Sequence, residues 1–426
     1  MTDRARATVL QHVEDMTAEM VTELRAVVRI PSISGTSDEN TGQSHMAALY
    51  SDGGLDVDHW QIDLADVQRR ADFPGMEVER DEAWGLVARL PGTGTGDGPS
   101  LMLNGHIDVV PYGDRNAWSD DPFSASLRED KLMGRGTCDM KAGLIAAHWA
   151  VQAIRRAGIG LRGDLLLASV QGEEDGGLGT YSTLLRGWRA DACVIPEPTG
   201  LDLVPGNAGA LTFRLRIRGH ATHASRRTDG VSAIEKFWPV WRALADLETR
   251  RHRDIDPATS KFGLTHPLSI GTVRAGDWAS SVPDLLVAEG RLGVALGEVV
   301  ADARIDLERA VAEACDADPW LRDHPVEVEW WGGQFASGQL PADSDLARRV
   351  GDAHAIASSG RAQDSWIAPY GSDLRLLTEI GGIPTLQYGP GDAHIAHGPD
   401  EFVSIPDVVI TARALALVAL DVCGVA

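Results

Sequence analysis

Polar side chains that can bind metal ions or transfer protons follow several apolar stretches of this sequence. The stretch LMLNGHIDVVP places His106 and Asp108 directly after an apolar run. Side chains two residues apart on an extended strand point to the same side, so these two can act together. Other apolar runs end in further acids and histidines, namely Glu173 and Glu174, Glu197, and His394 and His397. In an open α/β sheet, ligands bind beyond the carboxyl ends of the strands, so we expect these residues to meet in one crevice.

Asp139 is a further candidate, in the segment GRGTCDMKAG just before a predicted helix. The glycines on both sides allow a close backbone approach and favour a site, although an aspartate there is also a good helix N-cap. Ordinary alternatives exist for the other residues as well. His106 and Asp108 can be a core histidine beside a turn, and GEEDGG can be an acidic surface loop. The occurrence of such clusters at four strand ends together favours a functional site.

The chemistry of these donors indicates a pair of divalent metal ions. Histidines and carboxylates without a cysteine suit zinc, cobalt or manganese. Two ions about 4 Å apart need one carboxylate that contacts both, and each ion needs further ligands. Five residues supply that number: His106, Asp139, Glu174, Glu197 and His397. We therefore expect two divalent ions per chain, with zinc as the metal and cobalt or manganese as alternatives.

Ions of this kind predict a hydrolytic site with a general base. They lower the pKa of a bound water towards neutrality, and a nearby carboxylate must then take its proton. Glu173 adjoins a predicted ligand but points elsewhere, which makes it the predicted base. Asp108 is expected to accept from the free N–H of His106 or to orient it from behind.

The elements that must position these residues form an α/β pattern in the first half of the chain. The apolar runs WGLVARL, SLMLNGH, DLLLASVQ and ACVIPEP are typical of strands buried on both faces. Between them, MKAGLIAAHWAVQAIRRAG and GTYSTLLRGW have helical periodicity. Alternating strands and helices predict a mainly parallel sheet with helices on both faces.

The pattern changes after Pro205 and returns after Gly333. The intervening segment reads as strand, helix, strand, strand, helix and strand, which is typical of a small α+β domain with an antiparallel sheet. We therefore predict a first domain that is interrupted by an insertion. Its parts are residues 1–209 and 334–426, and the inserted domain is residues 210–333.

Composition argues against several classes of partner. The net charge is 39 − 62 = −23 over 426 residues, which disfavours phosphate backbones and anionic lipid, so neither nucleic acid nor membrane is an expected partner. The four cysteines have no metal-site or disulfide spacing and suggest a reducing compartment. Residues 1–30 have the pattern of one amphipathic helix and are unlike a signal peptide. The apolar segment around Arg413 is too short to span a bilayer. These features predict a cytoplasmic protein.

The motifs GHIDVVP, GRGTCDMKAG, EEDGG, EPT and AHGPDEF together resemble those of a known enzyme family, and they occur in its order. This is the acetylornithine deacetylase / succinyl-diaminopimelate desuccinylase family of metal-dependent amidohydrolases, which are related to aminoacylases and glutamate carboxypeptidases. The resemblance implies a metallopeptidase-like α/β domain with an inserted α+β lid, through which two chains form a homodimer.

The same resemblance implies roles for individual residues. It implies five metal ligands: His106, Asp139 as the bridge, Glu174, Glu197 and His397. It prefers His397 to His394 because the family histidine lies four residues before the glutamate of HGPDE. Glu173 corresponds to the general acid/base and Asp108 to the orienting aspartate. In the lid, GHATHAS resembles the segment whose histidine stabilises the developing oxyanion in the neighbouring subunit, which points to His223. An ordinary surface histidine is the alternative there.

The substrate-binding residues depart from the family pattern. The family arginine that holds a substrate carboxylate corresponds to Gly293, while Arg291 lies two residues earlier on the same strand face. The carboxylate clamp is therefore either shifted to Arg291 or absent. The segment YGSDLRLL resembles a substrate loop and makes Ser372 and Arg375 candidate contacts.

The function that these features predict is hydrolysis of an N-acyl amide to a carboxylate and a free amine. Deacetylase, desuccinylase and deformylase activities all fit this prediction. A dipeptidase or carboxypeptidase of the same superfamily is the alternative within enzymes. A non-catalytic, metal-stabilised binding protein is the alternative from another class, and it would be expected to have lost the base or a ligand.

Overall fold

The computed structural model describes residues 3–93, 98–253, 255, 259, 261 and 263–426. These form two compact units. The first unit consists of Met1–Gly206, Gln339–Trp366 and Ser372–Ala426, and the second of Asn207–Gly338 and Ile367–Gly371. The predicted domain boundaries at 210 and 333 stay a prediction, because compactness does not test whether either part folds alone.

The strands of both units, in chain order, are β1 (Asp56–Gln61), β2 (Trp84–Leu90), β3 (Leu101–His106), β4 (Ser126–Arg128), β5 (Lys131–Met133), β6 (Leu165–Val170), β7 (Ala192–Ile195), β8 (Gly206–Asn207), β9 (Gly209–Arg218), β10 (Leu268–Ala275), β11 (Leu285–Val294), β12 (Glu327–Phe335), β13 (Gly338–Gln339), β14 (Thr385–Gln387) and β15 (Phe402–Ser404). The α-helices are α1 (Asp3–Asp15), α2 (Thr17–Val28), α3 (Ser37–Asp52), α4 (Leu64–Gln68), α5 (Ala142–Arg156), α6 (Leu178–Leu185), α7 (Ala233–Arg251), α8 (Val300–Ala317), α9 (Pro319–Asp323), α10 (Leu346–Ala357) and α11 (Ile405–Val422).

The first unit is built on a six-stranded sheet in the order β1-β2-β6-β3-β7-β14. The last four of these strands run parallel to one another, and β2 is antiparallel to both of its neighbours. This confirms the predicted mainly parallel sheet. The carboxyl ends of β6, β3, β7 and β14 therefore meet at one edge.

Apolar side chains of the central strands are buried on both faces of this sheet. Leu103 of β3 packs in a cluster with Leu144 of α5, whereas its neighbour Met102 packs in the opposite cluster with Leu178 of α6. The chain passes from β3 through α5 to β6, and then through α6 to β7 on the other side of β3. Connections that leave a strand in opposite directions open a crevice at its carboxyl end, which is where ligands bind in such sheets.

The second unit is an antiparallel sheet in the order β10-β11-β9-β12, with two long helices, α7 and α8. Its elements follow the order predicted from sequence. Strand β9 alternates as a one-side-buried strand should. Phe213 and Leu215 belong to the cluster with the two helices, whereas Arg214 and Arg216 lie on the opposite face, where both pair with Glu329. The inserted α+β domain of the predicted fold class is therefore confirmed.

The amino-terminal segment differs from the sequence prediction. One amphipathic helix was expected over residues 1–30, and the structure has α1 and α2 instead, separated at Met16. The difference is small, because the N–H of Met16 still donates to the carbonyl of His12 at 3.1 Å and its own carbonyl accepts the N–H of Met20 at 3.0 Å. Among the described residues, no helix is both long and apolar enough to cross a membrane.

Close packing of α5 against the loop after β7 gives the first prediction. A Cβ on Gly143 would lie 1.9 Å from the carbonyl oxygen of Pro196, which is too close for two atoms that are not bonded. Gly143→Ala should therefore lower the free energy of unfolding by about 1–3 kcal/mol or more. Gly351→Ala in α10 is the matched control, because its nearest neighbour is a side-chain oxygen of Gln363 at 3.5 Å. The control should stabilise by about 1 kcal/mol. Denaturant unfolding measures both, and equal midpoints for Gly143→Ala and the unmodified chain would contradict the packing described.

Candidate metal centre

Four parallel strand ends bring the predicted site residues of the first unit together. His106 is the last residue of β3, and Glu173 and Glu174 lie in the turn that follows β6. Glu197 follows β7, and His397 lies in the loop between β14 and β15. Residues up to 291 positions apart in the chain thus reach one edge of the sheet.

Asp139 lies between two groups of donors and offers one oxygen to each. Its Oδ1 is 3.1 Å from Nε2 of His106, and that nitrogen is 3.9 Å from Oε1 of Glu197. Its Oδ2 is 3.3 Å from Nε2 of His397, which is 3.1 Å from Oε2 of Glu174. Ligand atoms of His106, Asp139 and Glu174 all lie within 4.8 Å of one another. Nitrogen and carboxylate donors at these separations, with a carboxylate between them, fit a pair of divalent cations.

The backbone conformation of Asp139 leaves its carboxylate available to both groups of donors. Asp139 has φ −120° and ψ 98°, and α5 begins only at Ala142. Asp139 is therefore not the N-cap of that helix, and the capping interpretation is wrong. Its backbone N–H and that of Cys138 instead donate to Oε1 of Glu401, at 3.2 and 2.9 Å.

Asp108 contacts His106 through its backbone carbonyl and not through its carboxylate. Nδ1 of His106 donates to the backbone carbonyl of Asp108 at 2.9 Å, whereas the nearest carboxylate oxygen is 3.8 Å away. The carboxylate of Asp108 accepts the backbone N–H groups of Glu173 and Glu174, both at 3.3 Å, and the hydroxyl of Ser34 at 3.0 Å. Asp108 thus directs Nε2 of His106 towards Asp139 and also holds the turn that carries the two glutamates.

A buried arginine that the sequence did not reveal supports the same turn. Arg80 donates to both oxygens of Asp175, at 2.9 Å each, and to both oxygens of Glu39, at 2.9 and 3.1 Å. Asp175 also accepts the backbone N–H groups of Glu77 and Val78 at 3.1 Å. Arg80 lies in an irregular segment far from both acids in sequence, so no periodicity or motif signals the contact.

Glu173 is 8% exposed and lies beside other charged groups. Its Oε1 accepts the backbone N–H of Asp373 at 3.2 Å. Burial, followed by the negative charge of Asp373, raises the pKa of Glu173 well above its usual value. A carboxyl group with a raised pKa suits proton transfer near neutral pH.

The two substrate-loop candidates are buried side chains. The hydroxyl of Ser372 accepts from Nε2 of Gln387 at 2.8 Å, and Nη2 of Arg375 donates to the carbonyl of Gly176 at 2.9 Å. Burial lowers the pKa of Arg375 to about 10, although the charges of Asp373 and Glu173 oppose that shift. Both side chains thus support the loops around Glu173, and their contact with a substrate stays a prediction.

Electrostatics at the site favour positive charge between the carboxylates. The charge of Glu174 is the main reason why the pKa of His397 is raised to about 11. Burial lowers the pKa of His106, but the hydrogen bond to Asp139 and the charges of Glu197 and Asp108 outweigh it, so the net shift is strongly upward. Histidine binds a metal ion only when neutral, so cation binding must displace these protons.

The remaining candidates lie in the second unit. His223 is exposed, and its Nδ1 is 2.7 Å from the hydroxyl of Ser225. Arg291 lies on the sheet face opposite the helices, with its guanidinium 5.8 Å from the ring centre of Phe335. A Cβ on Gly293 would lie 2.6 Å from Cα of His266, so this position has no room for an arginine. The roles of His223 and Arg291 stay predictions.

Comparison with protein families decides the class of this site. Residues 102–421 match the model of peptidase family M20/M25/M40. The chain belongs to this family. It is therefore a metallohydrolase that acts on amide bonds, and the alternative of a non-catalytic binding protein is wrong.

Two curated relatives are similar to this chain over most of their length. The chain is 30% identical to N-formyl-4-amino-5-aminomethyl-2-methylpyrimidine deformylase of Bacillus subtilis, over 86% of this chain and 85% of that one. It is 33% identical to succinyl-diaminopimelate desuccinylase of Gluconacetobacter diazotrophicus, over 91% of this chain and 93% of that one. The resemblance drawn from the motifs is thereby confirmed.

Solved structures share the fold. A di-peptidase from Saccharomyces cerevisiae superposes with a TM-score of 0.77 at 15% identity and covers 98% of each chain. A Bacillus subtilis protein described as a dinuclear metal-binding peptidase of family M20 has a TM-score of 0.62 at 16% identity, over 96% of this chain and 99% of that one. At such identities the likeness establishes the fold and leaves the substrate open.

Metal binding gives the second prediction. Chelator-treated protein should bind about two zinc or cobalt ions per chain, and its melting temperature should rise as they bind. His397→Ala is predicted to lose one ion, because Nε2 of His397 lies 3.3 Å from Oδ2 of Asp139 and 3.1 Å from Oε2 of Glu174. His394→Ala, three residues away, is the control and should keep both. Metal analysis after dialysis measures the ratio, and an unmodified chain that retains no ion would contradict the assignment.

Proposed function

We propose that the chain hydrolyses an N-acyl amine with two divalent ions and Glu173 as the general base. The observation that supports this most is the position of Asp139, which offers one oxygen to the His106 group and the other to the His397 group. We assign one ion to His106, Glu197 and Asp139, and the other to His397, Glu174 and Asp139. Zinc is the proposed metal, with cobalt or manganese as alternatives.

Each residue then has a defined part in the reaction. Ions held by these ligands supply Lewis acidity for the amide carbonyl and lower the pKa of water. Glu173 removes a proton from the attacking water and later donates it to the departing amide nitrogen. Asp108 holds the turn of Glu173 in place through backbone hydrogen bonds. The products are a carboxylate and a free amine.

Among N-acyl amines, we propose N-formyl derivatives of an aminomethyl heteroaromatic amine as the substrates. The Bacillus subtilis relative is named for a reaction of this type. The absence of room at Gly293 supports an amine that carries no carboxylate at that place. The second candidate is a dipeptidase or carboxypeptidase, which the match to a family of peptidases supports.

A substrate panel tests this choice. N-formyl aminomethylpyrimidine, N-acetylornithine, N-succinyl-diaminopimelate and dipeptides should be compared by kcat/KM with zinc or cobalt added. The N-formyl compound should be hydrolysed fastest. Faster hydrolysis of dipeptides than of all acyl amines would contradict the proposal and establish the second candidate.

The base assignment gives the third prediction. Glu173→Gln should lower kcat by a factor of about 100 or more while both ions remain bound, because the amide cannot take the proton. Glu174→Gln is the matched comparison and should instead lower the amount of bound metal. If Glu173→Gln lost metal and Glu174→Gln kept it, the roles of the two neighbours would have to be exchanged.

We also propose that the chain forms a homodimer through the inserted lid domain and that His223 completes the partner's site. Helix α7 supports the first point, since Ile234, Trp238 and Trp241 are exposed on it at helical spacing. The exposed imidazole of His223 supports the second, because an oxyanion donor must be accessible to substrate. The four cysteines are free and buried, which supports the proposed cytoplasmic location.

The dimer gives the fourth prediction. His223→Ala should lower kcat strongly without changing metal content, because an oxyanion donor typically contributes a few kcal/mol to the transition state. His220→Ala, in the same segment, is the control. In heterodimers of His223→Ala with Glu173→Gln, one site has both Glu173 and a donated His223, so activity should partly return. Proven subunit exchange without recovered activity, or a fully active monomer, would refute the shared site.

A further inference from the structure

A second buried arginine, Arg135, connects the segments that carry two of the proposed metal ligands. It forms an ion pair with Glu401, in which Nη1 donates to Oε2, and the two side chains are 2% and 0% exposed. Arg135 precedes the turn of Asp139, and Glu401 ends the loop of His397. The pair therefore joins two loops that are far apart in the sequence.

Glu401 acts on the Asp139 side of this connection. Its Oε1 accepts the backbone N–H groups of Cys138 and Asp139, at 2.9 and 3.2 Å. Its own backbone carbonyl accepts the N–H of Gly134 at 2.8 Å. One carboxylate thus fixes the backbone on which the Asp139 side chain is mounted.

Arg135 acts on the His397 side. Its Nη2 donates to the backbone carbonyl of His397 at 3.1 Å. His397 and Asp400 have φ of 62° and 54°, in the left-handed region that residues other than glycine rarely adopt. Such backbone is strained and persists only where surrounding contacts hold it. The bond from Arg135 is a contact of that kind.

We propose that Arg135 and Glu401 are positioning residues that set the separation between Asp139 and His397 and thereby the affinity for the two ions. This inference rests on the ligand assignment proposed above. It has an asymmetric consequence. Glu401 holds Asp139, which is assigned to both ions, whereas the bond from Arg135 holds His397, which is assigned to one.

Arg135→Lys tests the asymmetry. Lysine keeps the positive charge beside Glu401 but lacks the planar fork whose second nitrogen reaches the carbonyl of His397. One ion should bind about 10–100-fold more weakly, and the other should bind with unchanged affinity. Stepwise cobalt titration against a competing chelator, followed by the cobalt absorption spectrum, measures both affinities without an activity assay.

Two further variants keep the test informative if a single substitution destabilises the fold. Glu401→Gln should weaken both ions about 10–100-fold, because one of the two accepting oxygens becomes an NH2 group, which cannot accept from the guanidinium of Arg135 or from the backbone N–H groups of Cys138 and Asp139. The double variant Arg135→Met/Glu401→Leu removes both buried charges, which preserves the fold better than removing one, and should also weaken both ions. Arg186→Lys is the control, since Arg186 pairs with Asp58 at an exposed place and should leave both affinities unchanged.

The outcomes separate this inference from the ligand assignment. If the ion pair had only a structural role, the variants would lower the melting temperature of the metal-free protein but would not weaken the binding of one ion selectively. If the unmodified chain binds two ions and the Arg135 and Glu401 variants bind them equally well, the positioning role is overturned and the ligand assignment survives. If the unmodified chain binds no cobalt, both are overturned. Equal weakening of both ions by Arg135→Lys would contradict the asymmetry.

Discussion

The rest of this structure depends on how it accommodates several carboxylates at one edge of a buried sheet. Asp108, Glu173 and Glu197 are at most 8% exposed, and Asp139 and Glu174 adjoin them. Like charges at such distances repel strongly where water is excluded. Burial and this mutual repulsion raise the pKa of Glu173 and of Glu197. Positive charge among these acids would offset their repulsion, and divalent cations held between them would supply it.

The protein also compensates the acids from behind the site with backbone N–H groups and buried arginines. Asp108 and Glu401 each accept two consecutive backbone N–H groups, and Arg80 and Arg135 each pair with a buried acid. Hydrogen bonds that involve charged groups are short and strong in such surroundings. These contacts hold the backbone that carries Asp139, Glu173 and Glu174, much as outer contacts orient ligands in metal sites generally.

Much of this arrangement could be predicted from sequence, because parallel strands deliver their carboxyl ends to one edge. That rule alone was enough to bring His106, Glu174 and Glu197 together. It could not predict that the side-chain carboxylate of Asp108 holds a turn while its backbone carbonyl orients His106. A hydrogen bond to the backbone does not require a particular residue type, so the sequence does not indicate it. Nor could it choose between a helix cap and a site for Asp139, since both use the same residue at the same place.

The supporting arginines were beyond sequence reasoning for a related reason. Arg80 and Glu39 lie in different segments, and Arg135 and Glu401 are 266 positions apart in the sequence. Such contacts follow from tertiary packing and from no local periodicity.

The central claim is that Asp139 is shared by two ions. Anomalous diffraction at the zinc edge, from crystals grown with zinc, tests it most directly. The account predicts two peaks about 4 Å apart, one on each side of the Asp139 carboxylate, with His106 at one and His397 at the other. A single fully occupied peak, or two peaks of which one lies out of contact with Asp139, would contradict it.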